Sequence, residues 1–264
     1  MAEARRTIDL LWFEEPQSRR GRKKGLSLTQ VVDAAIALAD AEGLDAVSMR
    51  RVAQELGVVP MTLYTYVPDK AALLDLMVDA LYLRMERSAA GDPGWRERVR
   101  TVAGDNRMLY EHHPWAAELS ASRPPLGPGL MAKYEHELRA FEGSGLDNVE
   151  TDSALTFVLG FVQHSARAAV QARAVAERSE QTDAQWWEES GPLLEKVFDR
   201  HRYPIAVRVG EAAGAELGGA FNAEHAYAFG LERVLDGLAA LIEARPGPGP
   251  RAGTRSGPGA GAEA

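Results

Sequence analysis

Wherever apolar side chains cluster in this chain they recur at three- and four-residue spacing, and no segment alternates convincingly with period two. Spacing of that kind places one apolar stripe along a helix and cannot give the two-faced pattern of a half-buried strand. The chain is therefore expected to be all-α. Ser27 with Gln30 three residues on has the form of a capping box. Leu28, Val31, Val32, Ala35, Leu38 and Ala39 then keep the helical period as far as Gly43. A short helix follows from about Ser48 to Leu56 and another from Pro60 to Tyr66. Asp69 stands where it would cap a fourth, whose stripe includes Leu73, Leu74, Met77, Val78 and Leu81. Further helices are predicted near 95–111, 114–121, 127–142, 147–179, 183–200 and 222–244. Their joins fall at His113-Pro114, Pro124-Pro125, Gly143 to Gly145, Gly191-Pro192, Tyr203-Pro204 and Gly218-Gly219.

Composition narrows the function classes. With no cysteine among its 264 residues, the chain has no disulfide, thiolate or Cys-ligated zinc chemistry. No apolar run approaches the roughly 20 residues that span a bilayer, and the first residues lack the apolar core of a signal peptide. A cytoplasmic location is the expectation. The net charge of −8 argues at first sight against nucleic acid, yet it is unevenly spread. Residues 1–70 hold ten basic and ten acidic side chains, and the remainder holds 20 and 28. Arg19, Arg20, Arg22, Lys23 and Lys24 lie within six positions that contain no acid. Either they are a solvated leader, or they form an arm that adds phosphate contacts or enters a minor groove. Ile8, Leu10, Leu11, Trp12 and Phe13 form an apolar cluster just upstream that a free leader has no reason to keep. The Pro/Gly/Ala-rich stretch from Pro246 to Ala264 cannot bury a core.

Residues 48–66, SMRRVAQELGVVPMTLYTY, carry the functional signal. They read as a helix, a tight turn at Gly57 and a second helix. Val52, Ala53, Leu56, Val58 and Leu63 supply the interface between the two. The second helix then presents Met61, Thr62, Tyr64, Thr65 and Tyr66, which are hydroxyl, aromatic and apolar groups fit for base edges, thymine methyls and phosphates. This is the layout of a helix-turn-helix with its second helix in the major groove. Two short helices joined by glycine also occur in many all-α proteins, so the flanking residues matter.

Those flanks decide the comparison. The stretch VVDAAIALADAEGLDAVSMRRVAQELGVVPMTLYTYVPDKAALLDLM, Val31 to Met77, resembles the DNA-binding domain of the TetR family of repressors, in its Tet repressor branch. Charge and composition point to a basic arm at 1–25 and a disordered tail at 246–264, and the resemblance implies a helix-turn-helix domain at 26–70 and a ligand-binding and dimerisation domain at 71–245. It implies that Thr62, Tyr64, Thr65 and Tyr66 meet bases and phosphates, that Arg50 reaches DNA, that Ser48 caps its helix beside a phosphate, and that Lys70 holds a phosphate. Where that branch carries a glutamine reader this chain has Pro60, followed by Met61. Neither side chain hydrogen-bonds a base, so a different operator with more apolar and indirect readout is expected.

The resemblance further implies a homodimer through the helices near 147–179 and 222–244, bound to a palindromic double-stranded DNA operator and released by a small-molecule effector. Phe221, Tyr227, Phe229, Leu231, Val234, Leu235, Leu238 and Leu241 make the last helix apolar over much of its circumference, as burial on more than one side requires. Candidate effector contacts are His112, Trp115, Tyr134, Phe157, Phe161, His164, Trp186 and Trp187; an aromatic at such a position is more often core than ligand wall, and a lone histidine more often a hydrogen-bonded core or surface residue. His112 and His113 point about 100° apart on a helix and are no metal pair; no cofactor or metal is expected. No G-x-S-x-G, H-E-x-x-H, P-loop or G-x-G-x-x-G motif is present, so an enzyme is not expected. The remaining alternative is a regulator of this type that senses a protein or nothing.

Overall fold

The computed structural model describes residues 2–13, 26–88, 94–119, 124–218 and 222–244. Among them every regular element is helical. The order is α1 (Ala2–Trp12), α2 (Leu28–Glu42), α3 (Met49–Glu55), α4 (Pro60–Leu63), α5 (Lys70–Arg84), α6 (Trp95–His112), α7 (Pro128–Leu138), α8 (Asn148–Ser179), α9 (Asp183–Glu195), α10 (Pro204–Leu217) and α11 (Ala223–Glu243). Short 3₁₀ turns occupy Leu44–Ala46, Pro114–Glu118 and Arg139–Phe141.

The caps lie where polar side chains were spaced for them. Ser27 Oγ accepts the Gln30 N–H at 3.2 Å, and Gln30 Oε1 accepts the Ser27 N–H at 2.9 Å. Ser48 accepts from Arg51 N–H, Asp69 from Ala72 N–H and Asn222 from His225 N–H. Each bond satisfies one of the amide groups that a first helical turn leaves without a partner.

Several boundaries differ from the sequence expectation. The segment expected as a helix over 114–121 is a 3₁₀ turn of five residues, and the one over 127–142 is α7 followed by a second 3₁₀ turn. The third helix stops at Leu63 rather than Tyr66, and α9 stops at Glu195. Two helices were not foreseen. Pro204, read as a break, sits in the first turn of α10, where its missing N–H has no helical partner to lose. Residues 2–12, read as part of a basic arm, are helical. The apolar cluster there docks: α1 packs on α5, and the Trp12 indole N–H donates to the Leu126 carbonyl at 2.6 Å. Arg19, Arg20, Arg22, Lys23, Lys24 and the tail from Pro246 lie outside the described residues.

Helix α5 joins the two halves of the molecule. Leu73 and Met77 are fully buried, and Ala72, Leu76, Val78, Asp79 and Leu81 nearly so, because α2 covers one side and α7 another. Arg84 also pairs with Asp33 of α2 at 2.6 Å. At the α5–α7 crossing the backbones touch. A Cβ on Gly129 would lie 2.0 Å from the Asp79 carbonyl oxygen. The buried Asp79 carboxylate accepts the Gly129 and Leu130 N–H groups at 3.0 and 2.9 Å, so α5 caps the start of α7. Behind the crossing, Lys133 Nζ meets Glu137 at 2.7 Å with both side chains buried, and Asn106 Nδ2 donates to Glu137 at 2.6 Å. Burial holds the Lys133 amine below its ordinary range while Glu137 opposes that shift.

Gly129→Ala is expected to lower unfolding free energy by about 1–3 kcal/mol, the usual cost of overpacking. Gly104→Ala on α6, where a Cβ meets nothing within 4 Å, should leave stability equal or raise it by up to about 1 kcal/mol. Urea denaturation of the two variants separates these outcomes.

Candidate nucleic-acid interface and effector cleft

Two buried helices hold a short third one outward. Val52 and Ala53 of α3, Leu63 of α4 and Val67 beyond it are fully buried in a core shared with Val31 and Ala35 of α2. Ala53 lets the backbones approach, and Gly57 makes the turn at φ +66°, a left-handed value that favours glycine. The outward side of this unit carries Val59, Met61 and Tyr64, all exposed, with Thr65 exposed and Thr62 and Tyr66 half-buried. Thr65 Oγ1 donates to the Thr62 carbonyl at 2.6 Å, which fixes its rotamer.

The two neighbouring arginines on α3 differ. Arg51 Nη2 lies 2.6 Å from Glu42 and its Nη1 3.2 Å from Glu55, and these acids hold the guanidinium pKa above its ordinary value. Arg50 is exposed and has no ion-pair partner among the described residues; the same is true of Lys70 at the start of α5. Ser48 is exposed at the α3 cap. The helix-turn-helix unit therefore exposes cations, hydroxyls and apolar groups, the kinds of side chain that meet phosphates and base edges in a DNA groove.

The larger half holds a cleft of about 450 Å³ between α6, α8 and α11. One wall is a run of small residues on α8 that includes Ala166, Ala169 and Ala176; opposite stand Tyr110 and Tyr227. Arg107 closes one side. Its guanidinium donates to both Glu224 oxygens and to Glu111, and lies 4.4 Å from the Tyr227 ring centre. That hydrogen bond to Arg107 lowers the Glu224 pKa, whereas burial raises those of Tyr110 and Tyr227. Arg173, on the α8 wall, is exposed.

None of the eight residues expected to contact an effector lines this cleft. Phe161 comes nearest: it stacks on Tyr227 at 5.8 Å and fills the space that Gly230 leaves open. Trp115 is core. Phe157, His164, Trp186 and Trp187 are exposed in the single chain, and Tyr134 bonds Asp152 at 2.6 Å. His112 edges a separate cleft of about 350 Å³ between α5 and α6. Phe157, Phe161 and His164 do lie on α8, but the α8 residues that line the cleft are mostly small, and alanines repeating on one face leave room beside a helix.

The last turn of α6 connects cleft to interface. Tyr110 and Glu111 line the cleft, and a few residues on the Trp115 indole N–H donates to Asp40 Oδ1 of α2 at 2.7 Å. His113 Nδ1 lies 2.8 Å from the same oxygen.

An outward helix-turn-helix, joined by one shared helix to a helical body with a cleft, is an arrangement with known relatives. Residues 31–77 match the family model described as bacterial regulatory proteins, tetR family, and residues 88–242 match the tetracyclin repressor-like C-terminal domain. The chain belongs to the TetR family. It is 42% identical over 243 residues to the HTH-type transcriptional repressor DrrR1 of Streptomyces coeruleorubidus, covering 92% of this chain and 88% of that one. It is 27% identical to the class E tetracycline repressor protein of Escherichia coli, over 83% of this chain and 93% of that one. Among solved structures, ActR of Streptomyces coelicolor in complex with actinorhodin superimposes with a TM-score of 0.68 at 26% identity, covering 83% of this chain and 99% of that one. The protein is thus a DNA-binding transcriptional regulator of the repressor type, with a ligand-binding C-terminal domain. No helix among its described residues is long and apolar enough to cross a membrane.

Replacing Asp40 with Ala leaves the nearly buried Trp115 indole N–H without its acceptor, at a cost of about 1–3 kcal/mol in stability. In a Trp115→Phe background the same change should cost less; urea unfolding of the double-mutant cycle measures the difference.

Proposed function

We propose that this regulator represses by binding a palindromic operator as a homodimer, and that a large, partly aromatic small molecule in the α6–α8–α11 cleft releases it. The observation that carries the reading is the continuity of α6. One stretch of backbone lines the cleft and, within the next few residues, bonds α2 through Asp40. A ligand that displaces the last turn of α6 acts on the DNA-binding unit with no intervening joint. Ligand and DNA then favour different placements of that unit, and each weakens the other's binding by the same factor.

The homodimer reading rests on α8 and α11. They pack on one another within the chain, yet leave Phe157, Phe229 and Leu241 exposed on the pair. Two-fold pairing across that surface would cover them and present two α4 helices to successive major grooves. Within each half-site Arg50, Lys70, Ser48, Thr62 and Thr65 would meet phosphates and base edges, with Tyr64 and Tyr66 beside them. The aromatic character of the effector is supported by Tyr110 and Tyr227 facing a floor of alanines, and by the actinorhodin bound to ActR. Repression is supported by the DrrR1 relative.

The test is a gel shift on the intergenic DNA beside the gene, across a salt series and then with actinorhodin as the probe. Binding should weaken steeply with salt, and the probe should release the DNA. Arg50→Ala should cost about 1–3 kcal/mol of operator affinity, whereas Arg51→Ala, which removes a cation already paired with two acids, should cost less. Ala169→Trp should leave operator affinity intact and abolish release by filling the cleft. Undiminished release in that variant would argue against the cleft as the effector site.

A further inference from the structure

Val59 and Met61 are 66% and 73% exposed, on either side of the proline that opens α4. The three consecutive positions 59–61 offer no hydrogen-bonding side chain, and Pro60 has no N–H either. The fold does not use these side chains, since the core of the unit is filled by Val52, Ala53, Leu63 and Val67. This exposed apolar pair belongs to the same unit that exposes the cations Arg50 and Lys70, so a partner suited to that unit combines apolar groups with anionic surroundings. Of the groups in a DNA major groove, edged by phosphates, only the thymine 5-methyl is apolar.

We propose that Val59 and Met61 read thymine methyl groups in each half-site, so that part of the operator's sequence is selected by methyl contact rather than by hydrogen bonding. The proposal rests on α4 entering the major groove. It carries a second consequence: 5-methylcytosine presents the same methyl group at the same ring position, so a methylated C·G pair supplies the contact that an unmethylated one lacks.

The experiment uses the full-length protein and the operator found by gel shift. Each half-site thymine is replaced in turn by deoxyuridine, which keeps the base pair and removes only the methyl. Affinity should fall about fourfold at each contacted thymine, the value of one buried methyl-sized group, and stay unchanged elsewhere. Val59→Ala and Met61→Ala, both on exposed side chains, should each lose the thymine-over-uracil preference at one position while still binding DNA. If wild-type protein binds every uracil operator as tightly as the parent, methyl readout is refuted and the placement of α4 stands. If the uracil effect persists undiminished in the Val59→Ala/Met61→Ala double variant, other residues read the methyls and the assignment is wrong. If no intergenic fragment is bound at all, the placement of α4 fails together with the proposal.

Discussion

Everything in this molecule depends on α5 being buried from two sides. A helix with one apolar stripe can serve one core, but α5 is apolar around most of its circumference and has to serve two. Leu73 and Met77 face no solvent, and Leu76, Val78 and Leu81 almost none. One side completes the DNA-binding core begun by α2 and the other receives α7. At Gly129 the backbones come as close as the chain permits, and Asp79 bonds the amide groups that this closeness brings to it. The DNA-binding unit is therefore not a separate bead on a linker, because its last helix is also the first helix of the body.

Much of the DNA-binding half was legible in the sequence because its determinants are local. Ser27 with Gln30, Asp69, Gly57 and the spacing of Val52, Ala53 and Leu63 each act within a few residues, where backbone geometry alone says what can meet. The same holds for the long α8 and for α11 with its Asn222 cap. Legibility ended where contacts became distant. The bond from Trp115 to Asp40 crosses 75 positions and that from Trp12 to Leu126 crosses 114, and neither has a period or a spacing to announce it. Pro204 was ambiguous in principle, since proline both ends helices and begins them. The lining of the cleft was hard to read for a different reason: a void is defined by side chains that stop short, and alanines look like ordinary helix formers.

The charge distribution makes sense against this architecture. Acids exceed bases beyond residue 70, and many there are matched on the surface, as Glu232 is by Arg96 and Arg100, and Glu224 by Arg107. Such exposed pairs add little stability each, but they tie α6 to α11. In the DNA-binding unit, the bond network removes Arg51 from circulation and leaves Arg50 and Lys70 available. A net negative protein thus keeps, in its DNA-binding unit, two exposed cations that have no ion-pair partner among the described residues.

The carboxylate of Asp40 has one further property. A single oxygen, Oδ1, receives both His113 and Trp115. Two donors sharing one acceptor cannot be released one after the other by drawing α2 away, because the retreat of that oxygen strips both at once. Resistance to separation is therefore concentrated over a short displacement and absent beyond it. Such a junction behaves as a catch with a threshold rather than as a spring, and while it holds, α2 is carried with the end of α6.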